Sequence, residues 1–201
     1  MIVGVGGQGT LISSKIIGNV ALKKSYDVKV SEVHGMAQRG GSVATCVKLG
    51  PKIYSPIIEK GEADVIIAFE QLEALRWAEF LTENGIIIVN EEIIPPMPVI
   101  SGKENYPQNI CEWLKKNYKN VFFINASHIA KKCGNIKTTN MVLLGAAAYL
   151  ADIAGPGEDE IWRQAICEAF SENFAKMNVK AFEEGKRKAL EFKKDGNANF
   201  L

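Results

Sequence analysis

The stretch Gly4-Val5-Gly6-Gly7-Gln8-Gly9 constrains the fold of this chain more than any other. It matches G-x-G-x-x-G and stands between an apolar run, Met1–Val5, and a helical pattern, Leu11 to Leu22. A strand, a glycine turn and a helix in that order open a βαβ unit. Glycines there let the backbone turn tightly and approach a ligand. The helix that follows offers free N–H groups and positive potential to an anion, and Thr10 adds a hydroxyl. Within the helix, Leu11, Ile16, Ile17 and Val20 are the expected core residues. Only Met1, Ile2 and Val3 precede the loop, fewer than in a typical strand, so either the first strand is short or native residues precede Met1.

Further apolar runs alternate with helical patterns. Val28–Val33 reads as a strand, and Val43–Lys48 and Ile53–Tyr54 as extended segments split by Gly50-Pro51. Val65–Phe69, Ile86–Val89 and Val121–Ile124 are short, wholly apolar runs of the kind that fill a buried parallel sheet, and Leu72–Phe80 between them is helical. From Ala126 to about Lys194 only helical patterns occur, with Phe170, Phe174, Met177 and Ala181 as an expected core stripe. The pattern predicts an α/β, Rossmann-like three-layer fold. Its sheet is mainly parallel, with an antiparallel or hairpin element near residues 43–54, and its C-terminal third is helical. Pro95-Pro96-Met97-Pro98 is too short a linker to divide the chain, so residues 1–201 are expected to form a single domain.

Composition narrows the function. The formal net charge is +1, too balanced for a dedicated nucleic-acid binder. The longest nearly apolar run, Met141 to Ala151, falls far short of the ~20 residues that span a bilayer, and no signal-peptide pattern opens the chain. A cytoplasmic location is expected. Cys46, Cys111, Cys133 and Cys167 are widely spaced and form no C-x-x-C, which argues for reduced, mostly buried thiols rather than a cluster or zinc site. With only His34 and His128, no metal site is expected. The neutrality is a cancellation: residues 1–56 carry net +5 and residues 57–92 net −7.

The second unusual stretch runs from Ser31 to Ser42 and follows a strand's carboxyl end, where ligands bind in open α/β sheets. Gln38, Arg39, Gly40 and Gly41 fall together there. Arg39 can aim a planar fork at phosphate or carboxylate, and the N–H groups of Gly40 and Gly41 can form an anion nest. His34 is a candidate proton donor or acceptor, with a structural hydrogen bond as the alternative; for Arg39 the alternative is an ion pair with Glu32. The candidate cofactor-binding set is therefore Gly6, Gly7, Gln8, Gly9, Thr10, Gln38, Arg39, Gly40 and Gly41, and the candidate catalytic pair is His34 and Arg39. Three readings stay open for the first loop: a dinucleotide, with Glu32 as the ribose acid; another phosphate or anion; or a tight strand–helix crossing alone. Glu70 and Glu73 lie at the sheet's carboxyl edge, facing the same crevice or opening a solvated helix.

Both loops, together with Tyr54-Ser55-Pro56, Glu62-Ala63-Asp64, Phe69-Glu70 through Glu73-Ala74, Asn140 through Gly145 and Ala181 through Gly185, resemble the beta subunits of indolepyruvate ferredoxin oxidoreductases. These are gamma-type domains of the wider 2-oxoacid:ferredoxin oxidoreductases. The resemblance implies oxidative decarboxylation of an arylpyruvate with coenzyme A to an acyl-CoA, with electrons passed to ferredoxin. It implies a larger alpha subunit that carries thiamine diphosphate and the iron–sulfur clusters. This chain would hold no cofactor tightly on its own and would lend its two loops to a shared active site or coenzyme A site. The Pro95–Tyr106 loop and the C-terminal helix are candidate partner surfaces. The alternatives are a stand-alone NAD(P)-binding oxidoreductase and a non-catalytic assembly subunit.

Overall fold

The computed structural model describes residues 1–35, 40–153, 155 and 157–194. Among these, six strands form one sheet in the order β2-β3-β1-β4-β5-β6. They are β1 (Ile2–Val5), β2 (Asp27–His34), β3 (Ser42–Gly50), β4 (Ala63–Ala68), β5 (Leu81–Asn90) and β6 (Val121–Ile124). β1, β4, β5 and β6 run parallel, while β3 is antiparallel to both β1 and β2. The antiparallel element is thus one strand from Ser42 to Gly50, hairpinned to β2, rather than two pieces within 43–54. Ile53 and Tyr54 form no strand, and Tyr54 is exposed. The cause is Pro51, which has no N–H to continue the ladder.

The parallel strands alternate between two cores, because successive side chains point to opposite faces. Ile2, Ile67, Ile86, Ile88, Phe122 and Ile124 face one way. They meet α1 (Thr10–Lys23), α5 (Ala126–Cys133), α6 (Thr139–Leu150), α7 (Asp159–Ala169) and α8 (Glu172–Lys194). Val3, Ala44, Cys46, Ile66, Ala68, Ile87 and Val89 face the other way, against α2 (Gln71–Trp77) and α4 (Ile110–Asn117). The short α3 (Met97–Ile100) lies outside both cores with none of its residues buried. Three layers result, as the strand–helix alternation predicts.

The helical third is held by a close crossing of α6 and α8. A Cβ built on Gly145 would fall 1.9 Å from the Phe182 carbonyl oxygen, and one on Gly185 the same distance from the Val142 carbonyl oxygen. Each glycine admits the other helix's backbone, and no larger residue fits. That contact fixes the rotation of α8. Its buried residues become Ala175, Asn178, Ala181, Phe182, Gly185 and Ala189. Phe174 consequently turns outward and is exposed, contrary to the expected stripe. Leu11 is likewise exposed, whereas Ile16, Ile17 and Val20 are buried as expected. On α1 the small polar residues Thr10, Ser13 and Ser14 take the close-packed positions instead. Of the cysteines only Cys46 is buried, in the α2/α4 core; Cys167 is exposed, so the thiols are not mostly buried.

Candidate functional site

Chain direction reverses across the sheet between β1 and β4. From β1 the chain crosses toward β2 and β3, and from β4 it proceeds to β5 and β6. The carboxyl ends of β1 and β4 therefore form a switch point, the place where open α/β sheets bind ligands. The glycine loop sits there. Gln8 closes it from inside: its Oε1 accepts from Val5 N at 2.7 Å, and its Nε2 donates to the Phe69 carbonyl at 3.1 Å. Both ends of the amide are spent bridging the β1 and β4 termini, so the sequence candidate Gln8 is a staple of the loop. A Cβ on Gly4 would collide with that side chain and with Phe69, which explains a glycine at this position.

Gly7 and Gly9 hold φ of +104° and +92°, a left-handed conformation that other residues adopt only at a cost. Gly9 is the N-cap of α1; no side chain caps the helix, and no acid lies in its first turn. The first intrahelical bond is Ser13 N to Gly9 O. The preceding N–H groups of α1 therefore have no helical acceptor. Together they present partial positive charge at the loop.

The second loop docks onto the first. Gly6 N donates to the Gly41 carbonyl at 2.9 Å, and Gly40 N donates to the Gly6 carbonyl at 3.3 Å. Two segments more than thirty residues apart in sequence thus meet backbone to backbone, and Gly40 does so at φ +78°. Its N–H faces Gly6 rather than an open nest. Gln38 and Arg39, with Met36 and Ala37, lie outside the described residues. His34 is exposed at the carboxyl end of β2, and its Nδ1 is 3.3 Å from the Gly35 carbonyl oxygen. Glu32 is exposed on β2, with β3 between it and β1. A ribose-binding acid sits on the strand next to the glycine loop, so this topology removes Glu32 from that role.

Further polar residues gather at this edge. Glu70 and Glu73 are buried, not a solvated helix start. Glu70 caps α2 by accepting from Glu73 N at 3.0 Å, and its other oxygen accepts from Ile94 N and the Tyr106 hydroxyl. Burial, then the Glu70 contact, pushes the Tyr106 phenol above its ordinary range. Glu73 accepts from Ser42 Oγ and from Arg76, which anchors the start of β3 just beyond the second loop. Asn90 is fully buried at the end of β5; its amide donates to the Phe69 carbonyl and its Oδ1 accepts from Ala126 N. An amide directly after an apolar run was the one available hint. Asn140, at the start of α6, lies against Gly9.

Other cavities are remote from these loops. One of about 540 Å³ opens at the amino end of the sheet among Ile2, Val47, Leu49, Val65 and Ile153. Another, of about 600 Å³, lies beside β6 and is lined by Phe122, His128, Lys132, Lys180 and Arg187. Neither holds a residue that the glycine pattern singles out. Among the described residues no group of three or more His, Cys, Asp or Glu side chains could hold a metal ion. No helix among them is long and apolar enough to cross a membrane.

A three-layer α/β sheet with a glycine loop and an uncapped helix at its switch point places the chain in the doubly wound class. The particular family follows from comparison. The model of the pyruvate ferredoxin/flavodoxin oxidoreductase family matches residues 1–188, and the chain belongs to that family. It is 41% identical over 184 residues to the indolepyruvate oxidoreductase subunit IorB of Methanothermobacter thermautotrophicus, covering 90% of this chain and 92% of that one. Among solved structures it resembles the gamma subunit of a keto/oxoacid ferredoxin oxidoreductase from Geobacter sulfurreducens, with a TM-score of 0.70 at 24% identity over 94% and 96% of the two chains. It also resembles the 2-oxoglutarate:ferredoxin oxidoreductase of Magnetococcus marinus, with a TM-score of 0.68 at 20% identity, where it covers 94% of this chain but 30% of the longer one. The likeness to the two structures is one of fold.

Proposed function

We propose that the chain is the small subunit of a 2-oxoacid:ferredoxin oxidoreductase of the indolepyruvate type. It lends the paired glycine loops to a site completed by a larger subunit. The observation that carries this reading is the docking of the second loop on the first at the switch point, beside an uncapped helix start. Kinship with a curated IorB subunit supports the substrate class, an arylpyruvate. In the reaction the bond between the 2-oxoacid's carboxylate and carbonyl carbon breaks and carbon dioxide leaves. The acyl carbon forms a thioester with coenzyme A, and the electron pair passes to ferredoxin.

Thiamine diphosphate supplies the carbanion chemistry in such a reaction, and with the iron–sulfur clusters it belongs to the partner under this reading. The four cysteines here lie apart, without a cluster-binding pattern. What this chain's residues do is bind and orient. The N–H groups at the start of α1 and the glycines beside them hold an anionic group, with coenzyme A the preferred ligand. Arg39 supplies charge and His34 a proton relay at the loop that docks on it. The solved structure of the Magnetococcus enzyme has 2-oxoglutarate, coenzyme A and succinyl-CoA bound, which supports that choice. The same relative carries this fold within a much longer chain, which supports a large partner. Exposed Ile93, Met97 and Ile100, on and beside the Pro95–Tyr106 loop, offer it an apolar contact. The complex works in the cytoplasm.

Co-expression with the cluster-bearing subunit tests the proposal. Indolepyruvate- and coenzyme-A-dependent reduction of ferredoxin or a viologen dye is expected from the pair and not from either chain alone. Equal activity of the large subunit without this chain would overturn it. A stand-alone NAD(P) enzyme is disfavoured by the β3 strand inserted between β1 and Glu32.

A further inference from the structure

We propose that the open edge of β6 and the groove beside it dock an extended, acidic segment of a partner protein, which joins the sheet as an added strand. β4 and β5 separate this edge from β1 and its glycine loop. β6 ends the sheet, with β5 on one side and no strand on the other among the described residues. Its parallel pairing uses alternate residues: Ile87 N donates to the Asn120 carbonyl at 3.0 Å, and Glu91 N donates to the Ile124 carbonyl at 3.1 Å. A residue in a parallel strand turns its N–H and C=O to the same side, so Val121 and Phe123 direct theirs away from β5. Those groups have no hydrogen-bond partner among the described residues, and both residues are only partly buried. An edge in this state is a template for another strand.

The surroundings decide which kind of strand fits. The cavity of about 600 Å³ beside β6 is walled by α5 and α8, with Phe122, Ile129 and Cys133 in its apolar lining and Lys132 and Lys180 among its cations. On the other face of β6, Lys115 in the last turn of α4 lies 5.0 Å from the centre of the Phe123 ring, with Lys116 next to it. Some neighbouring cations are already neutralised: Arg187 by Glu184 and Glu191, Lys188 by Glu191, and Lys119 by Glu83. Lys115, Lys116, Lys132 and Lys180 are exposed, and none of them pairs with an acid among the described residues. The sequence concentrates this charge, since Trp113 to Ala151 carries six lysines and no Asp or Glu. Overall neutrality conceals the patch. The free backbone groups call for an extended polypeptide, and lysines on both faces of β6 favour one rich in Asp and Glu. A nucleic acid would meet the lysines but has no strand to offer the edge.

The test uses the full chain and an end-blocked decapeptide of alternating valine and glutamate, followed by fluorescence anisotropy, and it requires no turnover. Wild type is expected to bind this peptide and, when bound, to show slowed hydrogen exchange at the Val121 and Phe123 amides. The same peptide methylated at every backbone nitrogen should bind roughly tenfold more weakly or worse, because it cannot complete the ladder. The double variant Lys132→Glu/Lys180→Glu should also lose roughly tenfold in affinity. Val121→Pro removes one outward N–H at the first residue of the strand, leaves the β5 ladder intact and should weaken binding several-fold. Absence of binding by wild type, equal binding of the methylated peptide, or unchanged affinity in the charge-reversed variant would overturn the proposal. Tighter binding of a valine–lysine decapeptide or of a single-stranded oligodeoxynucleotide would overturn it too. If Val121→Pro does not fold, the charge-reversed variant, whose two lysines are exposed, decides the matter with the methylated peptide.

Discussion

Glycines do opposite work in two regions of this molecule. At the α6–α8 crossing, Gly145 and Gly185 are absences filled by the neighbouring backbone, and nothing remains for a ligand. At the switch point, Gly7 has no atom of the described residues within 4 Å of its missing Cβ, and Gly9 has Asn140 and Ile12 as its nearest neighbours. The first region uses small residues to exclude space and the second uses them to keep space and donors open. Substitution separates the two, because one should register as stability and the other as affinity.

The largest effect is expected at the crossing. Gly145→Ala places a methyl against the Phe182 carbonyl and forces α6 from α8, with a loss of about 3 kcal/mol or more in chemical denaturation. A loss below about 1 kcal/mol would mean that the helices part easily and that the contrast is weaker than drawn. Gln8→Ala comes next. It removes the staple between Val5 N and the Phe69 carbonyl and should cost about 2 kcal/mol, with ligand affinity falling as the loop loosens. Gly9→Ala combines left-handed strain of about 1–2 kcal/mol with a collision at Asn140, so a modest drop in stability should accompany a larger drop in coenzyme A affinity. Gly7→Ala is the smallest and sharpest test. It meets no atom of the described residues, so the strain alone, about 1 kcal/mol, should appear in denaturation.

The elements of the fold were legible wherever one apolar run decided the outcome. Val121–Ile124 is a strand with those bounds, Val65–Phe69 starts two residues inside β4 and ends one beyond it, and Ile86–Val89 lies inside β5. The order of strands was not legible, because β3 reaches β1 through pairing between residues some forty apart. The expected Phe170–Ala181 stripe holds in part, with Ala181 buried and Phe170 packed on the core, but Phe174 faces out because the Gly185 contact with Val142 sets which side of α8 turns inward. In the site, the glycines announce themselves because their conformations leave few other choices. Their mutual docking, Gly6 to Gly41, does not, nor does the burial of Glu70 and Glu73, which depends on Tyr106, Ser42 and Ile94 arriving from elsewhere. Asn140 looks like the polar start of an apolar helix until Gly9 is set beside it.

The charge segments also gain a spatial meaning. The basic first quarter supplies β1 to β3, and the acidic stretch that follows supplies β4, α2 and β5. Lys48 on β3 pairs with Glu62 just before β4, so the two signs meet near the amino end of β4. At the carboxyl end Glu70 and Glu73 are bound to protein donors, which accords with the anion site proposed at the glycine loop.

One measurement bears on all of this most directly: the coenzyme A dependence of indolepyruvate-driven ferredoxin reduction by the two-subunit complex, compared between wild type and Gly9→Ala at equal assembly. The expected result is a KM for coenzyme A raised roughly tenfold, with the KM for the 2-oxoacid little changed. An unchanged coenzyme A KM in a correctly assembled variant would contradict the placement of the anion site at this loop.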